Sequence, residues 1–484
     1  MFGLEDYQLL VLSLIGTFIL LLFTGFPIAW LLSGVSLLFT GLALYLYNQH
    51  DVDTFFLYEW GDSFPLVIDR TWQIMSNWVL VALPMFIFMG LMLERSGVAE
   101  QLMRNFVKVF GRFKGGLALA VVLIGILFAA STGIVGASVV LLATLSIPIM
   151  LEQRYSPALA AGVVASSGTL GILIPPSIML VLMADQVGVA VGDLFMGAIF
   201  PGVMLGVLYL TFVIVAAQIF PKIAPKPKEL PPLDAKVIRE TLLAVIPPIL
   251  LILAVLGSIF AGIATPTEAS GVGAAREMLL ALANKRLNWR TIVEVGRETT
   301  LTTAFIFGIF LGATAFSLVM RKLGGDEYIA EIFTGLGFTP AMTVLFILFV
   351  TFLAGFFLDW LEITLIILPL VAPVVEALGF DLRWFIVLFA VTLQTSFITP
   401  PVGFSLFYLK GVVPPEVTTK LIYKGIIPFV MIQLMAIGLV FKYNDLVLWL
   451  PNTVEERRLE RIEAEREAER QRRLEERQQQ ELQQ

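Results

Sequence analysis

The chain has 484 residues, of which 58% are hydrophobic and only 14% charged, with a formal net charge of −6. Its mean hydropathy is +0.89. Soluble domains carry about 45–50% apolar and about 25% charged residues, so there is too little charge here to coat a water-soluble body of this size. There is no cysteine, and His50 is the single histidine. Disulfides, thiolate metal centres, thiol redox chemistry and histidine-rich transition-metal sites are excluded, and the acidic balance argues against nucleic acid as a partner.

A helix crossing the bilayer core needs about 20 apolar residues. In chain order, such stretches or close approaches to them occupy 9–23, 27–46, 78–93, 116–130, 195–220, 242–260, 303–320, 343–357 and 426–441. The first lacks a basic flank and a small-residue cleavage site, so it reads as a retained helix rather than a secretion signal. Acids dominate 51–70, whereas Arg104, Lys108, Arg112 and Lys114 form a loop without acids. Further basic loops hold Lys222, Lys226, Lys228, Lys236 and Arg239, then Lys285, Arg286 and Arg290. Positive loops stay cytoplasmic. That places 51–70 outside and, two helices earlier, the N-terminus outside as well. After Pro451 the chain turns to Glu, Arg and Gln, with eight Arg and ten Glu between 455 and 481. This composition favours one solvated helix with Glu–Arg pairs three or four residues apart.

Self-similarity organises the interior. An offset of 225 residues superposes Pro148 on Pro373 and Pro175-Pro176 on Pro400-Pro401. Each Pro pair closes a break containing Ser and Thr, and a fresh apolar run follows. Two prolines remove two backbone donors and disfavour helix just before them. Facing lipid, the freed carbonyls would cost several kcal/mol each. Matched breaks in two halves therefore point to a transporter site near the bilayer midplane; a pair of ordinary proline kinks is the plainer alternative. Upstream of the first break, Ser131-Thr132-Gly133-Ile134-Val135-Gly136 divides apolar runs too short to span alone, which fits the tip of a re-entrant hairpin. The counterpart in the second half is Leu358-Asp359-Trp360-Leu361-Glu362. Its acids are either functional, as intramembrane acids usually are, or lie at the water interface with Trp360 as a belt residue. Hydroxyls and freed carbonyls converging on the breaks suit Na+ better than zinc or copper, with one ion per half.

Several motifs carry a family resemblance. They are Leu83-Pro84-Met85-Phe86 with Met89-Gly90, residues 143–150, ASSGTLGILIPPSI at 165–178, ATPTEA at 264–269 and TPPVGFSLF at 399–407. Over most of 1–445 the chain resembles the large permease subunit of tripartite ATP-independent periplasmic (TRAP) transporters. Gly133-Ile134-Val135-Gly136-Ala137-Ser138 and Leu393-Gln394-Thr395-Ser396-Phe397 resemble the mannitol/chloroaromatic subtype.

The resemblance implies an all-α polytopic protein of the bacterial inner membrane, built of inverted repeats and working as an elevator. The first repeat is expected at 1–220, with a hairpin at about 117–150 and a broken helix at about 157–184. A cytoplasmic linker follows at 221–239. The second repeat is expected at 240–450, with a hairpin at about 341–378 and a broken helix at about 383–411, and a charged tail occupies 451–484. Sodium entry would drive uptake of a small organic acid. A periplasmic solute-binding protein would deliver it, and a small membrane subunit would join the scaffold. One ion would be held by Ser131, Thr132, Gly133, Ser167, Gly168 and Pro175, and the second by Asp359, Thr395, Thr399 and Pro400. Arg383, which follows the second hairpin, is a candidate for the substrate carboxylate, set against a plain interfacial arginine. A stand-alone symporter, a channel and a membrane-embedded enzyme are the competing readings. The enzyme lacks a nucleophile or metal cluster, and no Gly-rich phosphate loop supports direct ATP drive or a nucleotide cofactor. Arg276-Glu277 departs from the small and apolar residues expected after ATPTEA, as a local pair or the end of that helix.

Overall fold

The computed structural model describes residues 6–50, 60–132, 135–226, 234–335 and 337–482, and every regular element among them is a helix. The chain begins with α1 (Asp6–Leu22), α2 (Ile28–His50), α3 (Trp60–Met75), α4 (Ala82–Arg95) and α5 (Val98–Phe110). A helix pair follows, α6 (Gly116–Thr132) and α7 (Val135–Glu152). Next come α8 (Pro157–Gly168) and α9 (Ile178–Val187), separated by the first break, and the long α10 (Val191–Ile219). After α11 (Ala235–Phe260), α12 (Pro266–Ala283), α13 (Trp289–Lys322) and α14 (Gly325–Gly335), the same order of elements returns. Helix α15 (Pro340–Ala354) pairs with a return arm made of α16 (Trp360–Glu362), a π-helical stretch Ile363–Ile367 and α17 (Leu368–Ala377). Helices α18 (Leu382–Phe397) and α19 (Phe404–Val412) flank the second break, and α20 (Thr419–Lys442) and α21 (Asp445–Leu482) end the chain.

Local chemistry fixes several helix starts. Thr265 and Glu268 form a reciprocal capping box ahead of α12, Asn288 accepts the Thr291 amide at the start of α13, and Thr339 caps α15 with Pro340 in its first turn. Each satisfies amides that a helix start leaves unpaired. Helix α12 runs unbroken through Arg276-Glu277, so no helix end is present there. Arg276 Nη1 donates to the Leu250 carbonyl at 3.0 Å, and Glu277 is buried.

Among the described residues, eight helices are long and apolar enough to cross a membrane. The helices flanking the breaks are shorter, and they form the centre. Every residue of α8 from Ala158 to Gly168, and of α18 from Trp384 to Phe397, is buried. A helix apolar all round is stable only when covered on all sides, and small residues let its neighbours come close. A Cβ at Gly162 would meet the Gly425 carbonyl of α20. The outer surface is apolar instead of charged: Phe23, Trp30, Trp72, Leu253 and Ile263 are all exposed.

The loops gather at two ends. At one end Gly115 N–H donates to the Ala224 carbonyl, Ser156 N–H to the Ile223 carbonyl and Asn284 Nδ2 to the Ser96 carbonyl. Arg95, Arg104, Arg286 and Arg290 make their ion pairs at this end. At the other end Asn77 Nδ2 donates to Asp185, and Thr267 Oγ1 to the Trp78 carbonyl. The tail helix starts at this second end, beside Ala190 and Asp193. It begins at Asp445, ahead of the expected boundary at 451, so Pro451 lies inside it. Its early turns pack on α10 and α18, and farther out it is an exposed Glu/Arg helix in which Glu469 and Arg473 pair at 2.6 Å.

Candidate functional site

Segments far apart in sequence meet at a cavity of about 360 Å³. Val135 and Gly136 come from the first turn of α7, Asp359 from the turn between α15 and α16, and Phe397, Phe404 and Tyr408 from the flanks of the second break. Gly136 packs against the Tyr408 ring, which a Cβ there would approach to 3.1 Å. Asp359 starts the return arm by accepting the Trp360 amide at 2.8 Å. Three residues on, Glu362 is 1% exposed, and its Oε2 has no hydrogen-bond partner. Trp360 is buried as well.

The first break is gripped between the two arms of the first helix pair. A Cβ at Gly125 of α6 would strike Ser167, and one at Gly168 would strike Val139 of α7. After α8 the chain makes a 3-10 turn, Thr169–Ile172, and enters Pro175-Pro176 through a cis peptide bond. Pro176 offers no amide to the Ile172 carbonyl; Ser177 Oγ donates to it instead, at 2.7 Å. Ser166 and Ser167 are fully buried, and their hydroxyls have no partner. In the second half a Cβ at Gly355, just past α15, would strike Ser396 of α18, and Pro400-Pro401 is again cis. Thr395 Oγ1 donates to the Val391 carbonyl at 2.8 Å, and Thr399 Oγ1 to the Thr395 carbonyl at 2.6 Å. Thr395 spends its hydroxyl proton inside α18 and Thr399, just past its end, on an α18 carbonyl, which leaves oxygen lone pairs free to face a cation.

The two breaks touch. Gln394 Nε2 donates to Thr169 Oγ1 at 3.3 Å, and these positions are 225 apart, the offset that superposes the prolines. Ser405 Oγ of α19 donates to the Ala165 carbonyl of α8 at 3.1 Å. Ser167 and Gly168 end α8 and Thr395 lies in the last turn of α18, while Pro175, Thr399 and Pro400 lie in the breaks and Asp359 in the turn before α16. Ser131 and Thr132 close α6, while Gly133, at the tip, lies outside the described residues. The donor set is neutral oxygen with one nearby carboxylate, which fits a hard monovalent cation and no thiophilic metal.

Arg383 sits elsewhere, in the first turn of α18 at the end far from the break. Its Nη2 donates to Asp381 Oδ2 at 2.7 Å and to Asn452 Oδ1 at 2.9 Å, and its Nη1 lies 3.7 Å from Glu455. Burial acts to raise the Asp381 carboxyl pKa, but hydrogen bonds from Arg383 outweigh it and hold it below the usual range. In the sequence Gln394 stands only within the 393–397 motif, with no site role, and Tyr408 stands in none. A carboxamide in an otherwise apolar helix was a visible signal for Gln394; Tyr408 gave none.

Comparison with known proteins fits this geometry. The family described as "Tripartite ATP-independent periplasmic transporter, DctM component" matches residues 15–444. The C4-dicarboxylate TRAP transporter large permease protein DctM of Pseudomonas aeruginosa is 31% identical over 395 residues, 81% of this chain and 90% of that protein. The sialic acid TRAP transporter large permease protein SiaM of Vibrio cholerae is 26% identical over 436 residues, 89% of this chain and 96% of that protein. In fold, the chain is similar to the crystal structure of the Alcanivorax borkumensis YdaH transporter, with a TM-score of 0.61 and 13% identity, covering 85% of this chain and 98% of that one. The chain thus belongs to the DctM family of tripartite ATP-independent periplasmic transporters, as a multi-pass permease of the bacterial inner membrane and not an enzyme.

Proposed function

We propose that this chain is the moving permease of a Na+-coupled importer for small organic acids. The observation that carries it is the hydrogen bond between Gln394 and Thr169. Residues at the repeat offset touch each other only close to a two-fold axis, so the bond supports two inverted repeats, 1–220 and 240–450, related about the centre of the site. Linker 221–239 and tail 451–484 flank them. Helix pairs α6–α7 and α15–α17 act as re-entrant hairpins and, with the broken helices α8–α9 and α18–α19, form the body that moves as an elevator. Ser131, Thr132, Gly133, Ser167, Gly168 and Pro175 serve one Na+; Asp359, Thr395, Thr399 and Pro400 serve the other. The unpartnered Ser167 hydroxyl and the Asp359 carboxylate are the observations that favour a cation at each.

The end holding Arg95, Arg104 and Arg286 faces the cytoplasm, by the positive-inside rule, and the opposite end receives a periplasmic solute-binding protein. A small membrane subunit completes the scaffold. The relatives named for C4-dicarboxylates and sialic acid make a carboxylate the expected cargo. The 133–138 and 393–397 stretches support the mannitol/chloroaromatic subtype. Reconstitution tests the reading. This chain alone, or with only the small subunit, should give no concentrative uptake. Adding the cognate binding protein with Na+ outside should restore it, and K+ in place of Na+ should abolish it. Strong Na+-driven uptake by this chain alone would make it a stand-alone symporter. Fast, unsaturable flux would make it a channel.

A further inference from the structure

We propose that a second cavity, at the end of the bundle opposite the basic loops, is an acid-binding site through which the organic anion enters. This rests on the import reading above. The cavity encloses about 290 Å³, close to the lower end of the roughly 300–1,000 Å³ seen for small-molecule sites. Its walls come from four places in the chain: α3 and the turn after it, the end of α9, the last turns of α13, and the return arm of the second helix pair.

Its lining is polar, in contrast to most of the chain. Arg70 and Arg321 stand on different helices, and Thr314 and Ser317 lie on the Arg321 face of α13. Asp185 is the one acid among the described residues that line it, and its carboxylate already accepts from Asn77 Nδ2 at 2.5 Å and from Gln186 Nε2 at 3.3 Å. Two guanidinium groups thus face one carboxylate that is already hydrogen-bonded. Arg321 is only lightly engaged: its Nη2 lies 3.4 Å from the Pro369 carbonyl, and its Nε lies 3.7 Å from Asp326. Arg70 Nη1 reaches Gln73 Oε1 at 3.5 Å. These contacts are too long to satisfy two planar donor forks, which match carboxylates bidentately. With hydroxyls and amides beside them, the class of ligand is a small carboxylate bearing further carboxyl or hydroxyl groups.

The position adds a second argument. Leu365 and Pro369 of this cavity lie on the same return arm that begins at Asp359 of the first cavity. A cation held at the start of the arm and an anion held farther along it would act on one continuous helical segment. Occupancy of one site is then felt at the other.

The chain has no cysteine, so Ser317→Cys gives a single reactive thiol in the cavity. Maleimide labelling of this variant in proteoliposomes is followed with succinate, malate, pyruvate or sialic acid, and with mannitol as the neutral control. At least one of the acids should slow labelling by roughly tenfold at saturation, and mannitol should not. Adding Arg321→Gln or Arg70→Gln should abolish that protection. Asp326→Asn, which removes only a structural partner of Arg321, and Arg290→Gln at the basic end should leave it intact. Val189→Cys labelling, unchanged across the set, verifies the fold. Protection by none of the acids, or protection that survives Arg321→Gln, overturns the site. Uptake by the complete transporter is measured beside it. If acids are imported but give no protection, the cavity is wrong and the import reading stands. If acids protect but none is imported, the acid-binding site stands, and its role in entry falls with the import reading.

Discussion

Ser167, eight residues before the first Pro pair, and Thr399, directly before the second, differ in bonding state. The Ser167 hydroxyl is fully buried and unpartnered, whereas Thr399 Oγ1 donates to the Thr395 carbonyl. A buried polar group left unpaired costs about 1–3 kcal/mol, and a bound cation would offset that cost. Ser167→Ala should therefore raise the Na+ concentration for half-maximal uptake by roughly tenfold while leaving the protein as stable as before, or slightly more so. Thr399→Ala removes a hydroxyl that already bonds the Thr395 carbonyl at the end of α18, so it should weaken Na+ activation and also lower the melting temperature slightly. Na+ titrations of uptake, with thermal unfolding in detergent, separate the two effects. Unchanged Na+ dependence in both variants would make the breaks plain kinks.

At the scale of elements, the centre is held by close backbone contact more than by side-chain bulk. Helices α8 and α20 cross where Gly162 and Gly425 meet, and a Cβ at Gly425 would collide with the Ala158 carbonyl. Backbone cannot swing aside as a long side chain does, so Gly425→Ala must push the helices apart, at a cost of about 1–3 kcal/mol. Gly438 lies on the same helix with open space around it. Gly438→Ala should be neutral or slightly stabilising, because Ala favours helix over Gly by about 1 kcal/mol. Thermal unfolding of the two variants tests this pairing, and equal melting temperatures would show that the crossing is loose.

For the whole molecule, the disposition of the ends is the main consequence of the proposed inverted repeats. The tail helix starts beside Ala190 and Asp193, at the end that also carries Asn77 and Asp185. Single cysteines at 189 and 470 should therefore react with an impermeant reagent from the periplasmic side, and cysteines at 113 and 226 should not. A cysteine at 470 that is protected from outside, while 189 reacts, would show that the tail lies across the membrane from the start of α10.

The sequence by itself determined the class of molecule. Apolar runs with basic loops between them leave only a multi-pass helical protein, because lipid demands that each segment satisfy its own backbone. It also located both breaks, since prolines act through local geometry, and the family motifs are contiguous strings. Tertiary structure decided what those local features face. Asp359 and Glu362 could be assigned to the interior only once the return arm was seen to bury Glu362 and Trp360. Gln394 gained meaning only when α18 was placed against the first break. Arg383 was joined to Asp381 and the tail by contacts up to about 70 residues away in sequence. Arg70 and Arg321 stand hundreds of residues apart and share no motif. Their cavity exists because α3 and α13 pack side by side, a long-range contact that no local periodicity encodes.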